Sequence, residues 1–335
     1  MKNKTSRNRP CASFTWVSLI LTLSILAGCS SDPKPLKTWE YSSSGLFGAA
    51  LSHDGNFAVV SSFSEGTSFW DLQKNERLYD WRHSDSENNI SVAVFAANDS
   101  HVLTAEGSTF VIWSTAEGSS LGYWAAESDI LDAALSNDAK FVLLALKDGR
   151  ALHINRLTGR RLEVIAHRNE RITSVAMSPD GRVVVTGGND RRVMVWDAIS
   201  GEELNVFEHS HRVVAVALDD KNDQVLSADE NRRACVWSLD NGKCTTELEL
   251  QRAEQRIVSA RFSANGKEIL LGFPGRHLGL WSTRSGKRQQ KWLTPARKHG
   301  WVPQGSTVYA VGFAGQGREV IAQSSNGLGG KWKIL

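Results

Sequence analysis

The sequence predicts an all-β fold, a seven-bladed β-propeller with four-stranded antiparallel blades, from three coincident registers. A tryptophan recurs at Trp70, Trp113, Trp196, Trp237, Trp281 and Trp332, with Ile154 filling the double gap, so successive markers lie 43, 41, 42, 41, 44 and 51 residues apart. A period of this length marks a propeller or another repeat array. Five residues after each marker stand Asn75, Gly118, Gly159, Gly201, Gly242 and Gly286, which suit a hairpin turn at positive φ. Eleven residues after it stand Trp81, Trp124, Ile165, Phe207, Leu248 and Trp292, large and apolar each time.

Each unit reads as four short strands. In the fourth they are ITSVAMS, RVVVTG, RVMVWD and EELNVFE. Turn chemistry separates the first two strands, as SHDGN from Ser52, SPDGR from Ser178 and SANGK from Ser263. Several strands, such as FVLLAL from Phe141, are unbroken apolar runs. A sheet with one wet face would alternate, so these strands need cover on both faces. Blades stacked face to face around an axis supply it.

The ring must also close. The last unit ends at Leu335 on its third strand, and the unpaired segment LKTWEY, Leu36 to Tyr41, is left to serve as its fourth. Trp39 then matches Trp81 and Trp292, and two exposed sheet edges disappear.

The N-terminus carries Lys2, Lys4, Arg7 and Arg9 without an acid, then a short apolar stretch from Ala12 to Ala27. This is the pattern of a secretory leader. Leu26-Ala27-Gly28-Cys29 resembles the lipobox of bacterial lipoproteins. That resemblance implies cleavage before Cys29, acylation of its thiol, and, with Ser30 following, an outer-membrane address on the periplasmic face. The expected organisation is a signal peptide over 1–28, a lipidated cysteine and tether over 29–35, and the propeller over 36–335. The chain has 39 basic and 36 acidic residues, and removal of the leader leaves 35 against 36. Net charge therefore offers no argument for nucleic acid.

Cys11 and Cys29 belong to export, which leaves Cys235 and Cys244 on consecutive strands in an oxidising compartment. A disulfide and two separate buried thiols both remain open.

The run AHRNERITSVAMSPDGRVVVTGGNDRRVMVWD, residues 166–197, resembles a WD repeat. The resemblance implies a buried hydrogen-bond chain of His167, Thr186, Asp190 and Trp196. The fifth unit offers His209, Ser227, Asn231 and Trp237, with Asn for Asp; the third keeps Asp148, and the others lack most of the motif.

No metalloprotease, nucleophile-elbow, phosphate-loop or paired-cysteine zinc motif is present. No catalytic residue, cofactor or metal is expected. His209-x-His211 is a close pair, but His209 belongs to the structural chain, and Gly327-Leu-Gly-Gly330 reads as a glycine-rich turn.

The loops carry the sharper signal. In a four-stranded blade the loop before the first strand and the loop between the second and third share one face of the disk. There, in units four to seven, stand Arg168, Arg171, Arg191, Arg192, Arg212, Arg232, Arg233, Arg252, Arg256, Arg276, Arg297 and Lys298. Units two and three instead hold Asp85, Glu87, Glu127 and Asp129. A face basic on one side and acidic on the other is expected. The insertion TPARKHGWVPQGS adds Trp301, which either packs onto the disk or anchors a partner.

The expected function is a non-catalytic scaffold, held to the outer membrane by its lipid, that binds an envelope protein through this basic face. A small-molecule or glycan site in the central channel is the alternative. Convergent His, Asp and Glu side chains would favour that site, and small apolar ones would count against it.

Overall fold

The computed structural model describes residues 32–335, apart from 84–89, 165–166, 168–169, 222, 253, 255, 300–301 and 304. The leader, Cys29, Asp85, Glu87, Ile165, Arg168 and Trp301 lie outside the described residues.

The described chain forms seven four-stranded antiparallel sheets and contains no helix. Blade 4 shows the common plan, with strands Ile172–Met177, Val183–Gly188, Arg192–Asp197 and Glu203–Glu208 in chain order. The second and third strands are the most deeply buried, as the unbroken apolar runs require. Between them and the neighbouring blades lie seven apolar clusters. One joins Val59 and Phe69 of blade 1 to Phe95 and Val111 of blade 2, and another joins Leu270 and Leu280 of blade 6 to Val311 and Val320 of blade 7.

The turn register holds. Asn75 takes φ 61°, and the five glycines at equivalent positions are also left-handed. At Gly286 a Cβ would strike the Glu247 carbonyl oxygen, so glycine is required there by space as well as by φ. The apolar register holds too, with Trp81, Phe207, Leu248 and Trp292 buried.

The closing strand is Lys37–Glu40, which pairs antiparallel with Leu328–Lys333 through Lys37 and Lys331, Thr38 and Gly330, and Trp39 and Gly329. Trp39 is buried, and its indole N–H donates to the Leu72 carbonyl of blade 1. The glycine-rich segment proves to be only partly a turn. Gly327 turns at φ 81°, whereas Gly329 and Gly330 lie in a strand, where the rings of Tyr41 and Trp332 fill the space their side chains would need.

Cys235 and Cys244 form a disulfide with their Cα atoms 5.9 Å apart, inside the usual bridging range. A bulge between Val236 and Trp237 shifts the register of the two strands here. The insertion before blade 7 forms a small ribbon, Lys298–His299 against Val302–Pro303.

Candidate functional site

Two ends of the propeller are distinct. The upper face carries the loops entering each blade and those between its second and third strands. Backbone hydrogen bonds tie these loops together: Asn189 N–H donates to the Arg171 carbonyl, and Glu230 N–H to that of Arg212. The expected shared face is therefore real in blades 4 and 5.

Buried histidines brace the same loops. His167 Nδ1 lies 2.8 Å from Asp190 Oδ1, and its Nε2 lies 2.9 Å from Thr186 Oγ1. Asp190 accepts only, so Nδ1 carries the proton and Nε2 receives the threonine hydroxyl. Trp196 does not complete the chain; its indole N–H is buried without a partner, and nothing in the packing explains it.

Blade 5 makes the connection that blade 4 lacks, because Trp237 Nε1 donates to Ser227 Oγ at 2.7 Å and Ser227 meets His209 Nε2 at 2.7 Å. The carboxylate there is Asp229, 3.5 Å from His209 Nδ1. Asn231 holds the position expected of it only by donating its backbone N–H to Asp229. Blade 2, expected to lack the motif, carries most of it: His83 Nε2 meets Thr104 Oγ1 at 2.8 Å, and Trp113 Nε1 donates to the same oxygen at 2.7 Å. Burial lowers the pKa of His83, His167 and His209, keeping these rings neutral. Asp229 also lies 3.9 Å from His211 Nδ1, and among the described residues no three His, Cys, Asp or Glu side chains are grouped to hold a metal.

The arginines divide into two sets. Arg171, Arg191, Arg232, Arg252 and Arg256 are exposed, and among the described residues none has an acidic partner within ion-pair distance. Most of the other described ones are engaged. Arg192 is half-buried and its Nε has no partner, while Arg212 pairs with Glu230 at 2.6 Å. Arg233 lies 3.9 Å from Glu247 and donates to the Glu208 carbonyl at 3.5 Å. Arg276 donates twice to the Thr294 carbonyl, and Arg297 pairs with Glu40 at 2.9 Å. The side chain of Lys298 is outside the description.

Backbone conformation singles out three arginines. Arg191, Arg232 and Arg276 sit at φ 72°, 72° and 73°, whereas blades 3 and 7 place Gly149 and Gly327 at the equivalent position. A left-handed conformation costs a residue with a Cβ roughly 1–2 kcal/mol. Arg276 offsets that strain with its bonds to Thr294; Arg191 and Arg232 extend into solvent.

The acidic side does not take the form expected. Glu127 pairs with Arg150 at 3.0 Å and Asp129 with Lys147 at 2.9 Å, and Arg150 also binds Asp148 and Glu163. Neutralised in this way, blade 3 presents a network of ion pairs. The upper face is thus basic on blades 4 to 6 without a matching acidic half among the described residues.

With the geometry in view, residues 159–197 match the family model described as WD domain, G-beta repeat. The repeat is of WD type. The match runs from the last strand of blade 3 through the third strand of blade 4. The chain is 24% identical over 157 residues to "Target of rapamycin complex subunit wat1" of Schizosaccharomyces pombe, covering 47% of this chain and 50% of that protein. It is 22% identical over 240 residues to "Autophagy-related protein 16" of Arabidopsis thaliana, 70% of this chain and 46% of that protein. A third relative, "Pre-mRNA-processing factor 19" of Oryza sativa subsp. japonica, is 22% identical over 142 residues, 41% of this chain and 27% of that protein. The chain spans half or less of the length of these relatives.

Proposed function

We propose that this WD-repeat propeller is a non-catalytic scaffold that docks an acidic protein on the upper face of blades 4 to 6. The observation that carries the reading is the pair Arg191 and Arg232. Both are exposed, unpaired among the described residues, and held in a backbone conformation that glycine would adopt with less strain. Stability alone gives no reason for arginine there. A guanidinium presents a flat fork of donors that grips carboxylates with two bonds, and Arg171, Arg252 and Arg256 extend the field. One relative is by name a subunit of a complex, which supports a scaffold role.

We further propose that the scaffold is a lipid-anchored protein of the outer membrane, facing the periplasm, with an envelope protein as its partner. The lipobox-like sequence ending at Cys29 supports this. So does the disulfide between Cys235 and Cys244, since such bonds persist in oxidising compartments.

Crosslinking in intact cells tests the docking face, comparing wild type with a variant carrying Glu at Arg171, Arg191, Arg232 and Arg252. One envelope protein should be captured by the wild type, lost from the variant and lost at high salt, because exposed charges are screened beyond about 8 Å at physiological ionic strength. Equal recovery by both forms would show the face to be ordinary surface.

A further inference from the structure

The lower mouth of the central channel, opposite the arginine face, holds a second candidate site. Here the innermost strands of blades 2 to 6, with His53 from the first turn of blade 1, surround a cavity of about 200 Å³. Its walls include the apolar side chains of Ala134, Ala176, Ala217, Met177 and Phe262, although polar atoms make up more of the exposed lining. The channel site expected from sequence is favoured by convergent His, Asp and Glu side chains and opposed by small apolar ones. The alanines weigh against it, while His53 and Asp220, joined by Arg261, weigh for it.

Arg261 departs from the pattern of the ring. The positions that pair with the second strand in the same register are Ala50, Ala134, Ala176, Ala217 and Gly312 in five other blades. Blade 2 has Val94 there, and blade 6 alone places a charge. Gly312, in the blade between, puts no side chain in the way. Arg261 therefore reaches past blade 7 to blade 1, donating from Nη1 to the Ser52 carbonyl at 3.1 Å and from Nη2 to that of Leu51 at 3.2 Å. A guanidinium has five N–H donors, and these two bonds leave it without a contacting carboxylate among the described residues.

The other charges of the mouth are arranged around it. Asp99 is saturated, accepting from the His53 and Asp54 backbone and lying 3.1 Å from His53 Nδ1. Asp220 is exposed at the rim and has no ion pair among the described residues. A single cation on the wall, a single free carboxylate at the rim and the apolar side chains beside them are complementary to a small zwitterion with an apolar body. The volume lies below the roughly 300–1,000 Å³ of drug-sized sites.

We propose that the lower channel mouth binds a free apolar α-amino acid, its carboxylate on Arg261, its ammonium on Asp220 and its side chain against the alanine and Met177 wall. Binding here is independent of the upper face, and either proposal can fail without the other.

Calorimetric titration of the whole protein with L-leucine, N-acetyl-L-leucine and L-leucinamide tests it. Leucine should bind, and removing either charge should weaken binding about tenfold or more, the scale of one charge-assisted hydrogen bond. Asp220→Asn should weaken leucine but leave N-acetyl-leucine unchanged. Met177→Trp, which fills the cavity, should abolish binding at an unchanged upper-face interaction. Absence of leucine binding, equal binding of all three probes, or indifference to Asp220→Asn would each overturn the assignment. Arg261→Ala is a poor first variant, because it also removes the bonds to blade 1.

Discussion

His209 Nδ1 faces Asp229 Oδ2 at 3.5 Å, although counting along the chain assigns the partner to Asn231. Asp229 Oδ1 meanwhile accepts the backbone N–H groups of Asn231 and Arg233, so one buried carboxylate organises the whole loop. Asp229→Ala should therefore lower stability by about 1–3 kcal/mol, the usual penalty for stranding buried donors. Asn231→Ala should stay within about 0.5 kcal/mol, as an exposed substitution. Chemical denaturation of the two variants decides it, and the reverse ranking would assign the role to Asn231.

The left-handed arginines separate stability from binding. Arg191→Gly and Arg232→Gly should each leave stability unchanged or raise it by up to about 1 kcal/mol, relief of φ strain being partly offset by the freer unfolded chain. Both should weaken capture of the acidic partner. Arg276→Gly should show no such gain, since it forfeits two hydrogen bonds to Thr294. Melting temperatures beside crosslinking yields provide the check.

Ring closure rests on a buried tryptophan. Trp39→Ala should destabilise the propeller by about 3–5 kcal/mol, and deletion of residues 36–41 should prevent cooperative unfolding of an intact ring. Unchanged thermal unfolding of the truncated protein would refute the closure.

Acid should weaken the fold through its histidines. Burial lowers the pKa of His53, His83, His153, His167 and His209 below the ordinary value. Between the ordinary value of about 6.5 and the lowered ones, the unfolded chain binds more protons than the folded chain. Stability is then full above that pH and declines as pH falls. Asp132 works in the opposite sense, its pKa raised by burial to about 6 while it accepts from Val175 N–H. Melting curves from pH 8 to pH 5 should fall at the acid end, and the His167→Gln, His209→Gln double variant should show a shallower fall from a lower plateau.

Reducing the disulfide should lower the melting temperature, with a loss near 3 kcal/mol for a loop of this order. A Cys235→Ser, Cys244→Ser variant should match the reduced protein and show no further response to reductant.

The blades were legible because strand period and turn chemistry are local: Gly118, Gly201 and Trp292 report their own surroundings wherever the chain goes. Pairings across loops were not. His83 stands 21 residues before Thr104 where His167 stands 19 before Thr186, because the loops between them differ in length, and a fixed template passes over it. The basic residues of the upper face could be named from sequence, but their availability could not. Whether Arg212 meets Glu230, or Lys147 cancels Asp129, depends on how separate loops fold back on one another. Arg261 was missed for a different reason, since a lone arginine in a strand shows its oddity only when the seven registers are laid side by side.

The closing blade also dictates when the molecule can become itself. Lys37 and Lys331 are neighbours in space and stand 294 residues apart in sequence, so the first strand of the propeller stays unpartnered until the last is available. Six blades can assemble from local hairpins, yet the ring has no completed circumference until Leu328–Lys333 meets Lys37–Glu40. Long-range pairing of this kind slows folding. A chain without Leu328–Lys333 would leave a broken annulus with two open seams, in place of a slightly smaller propeller.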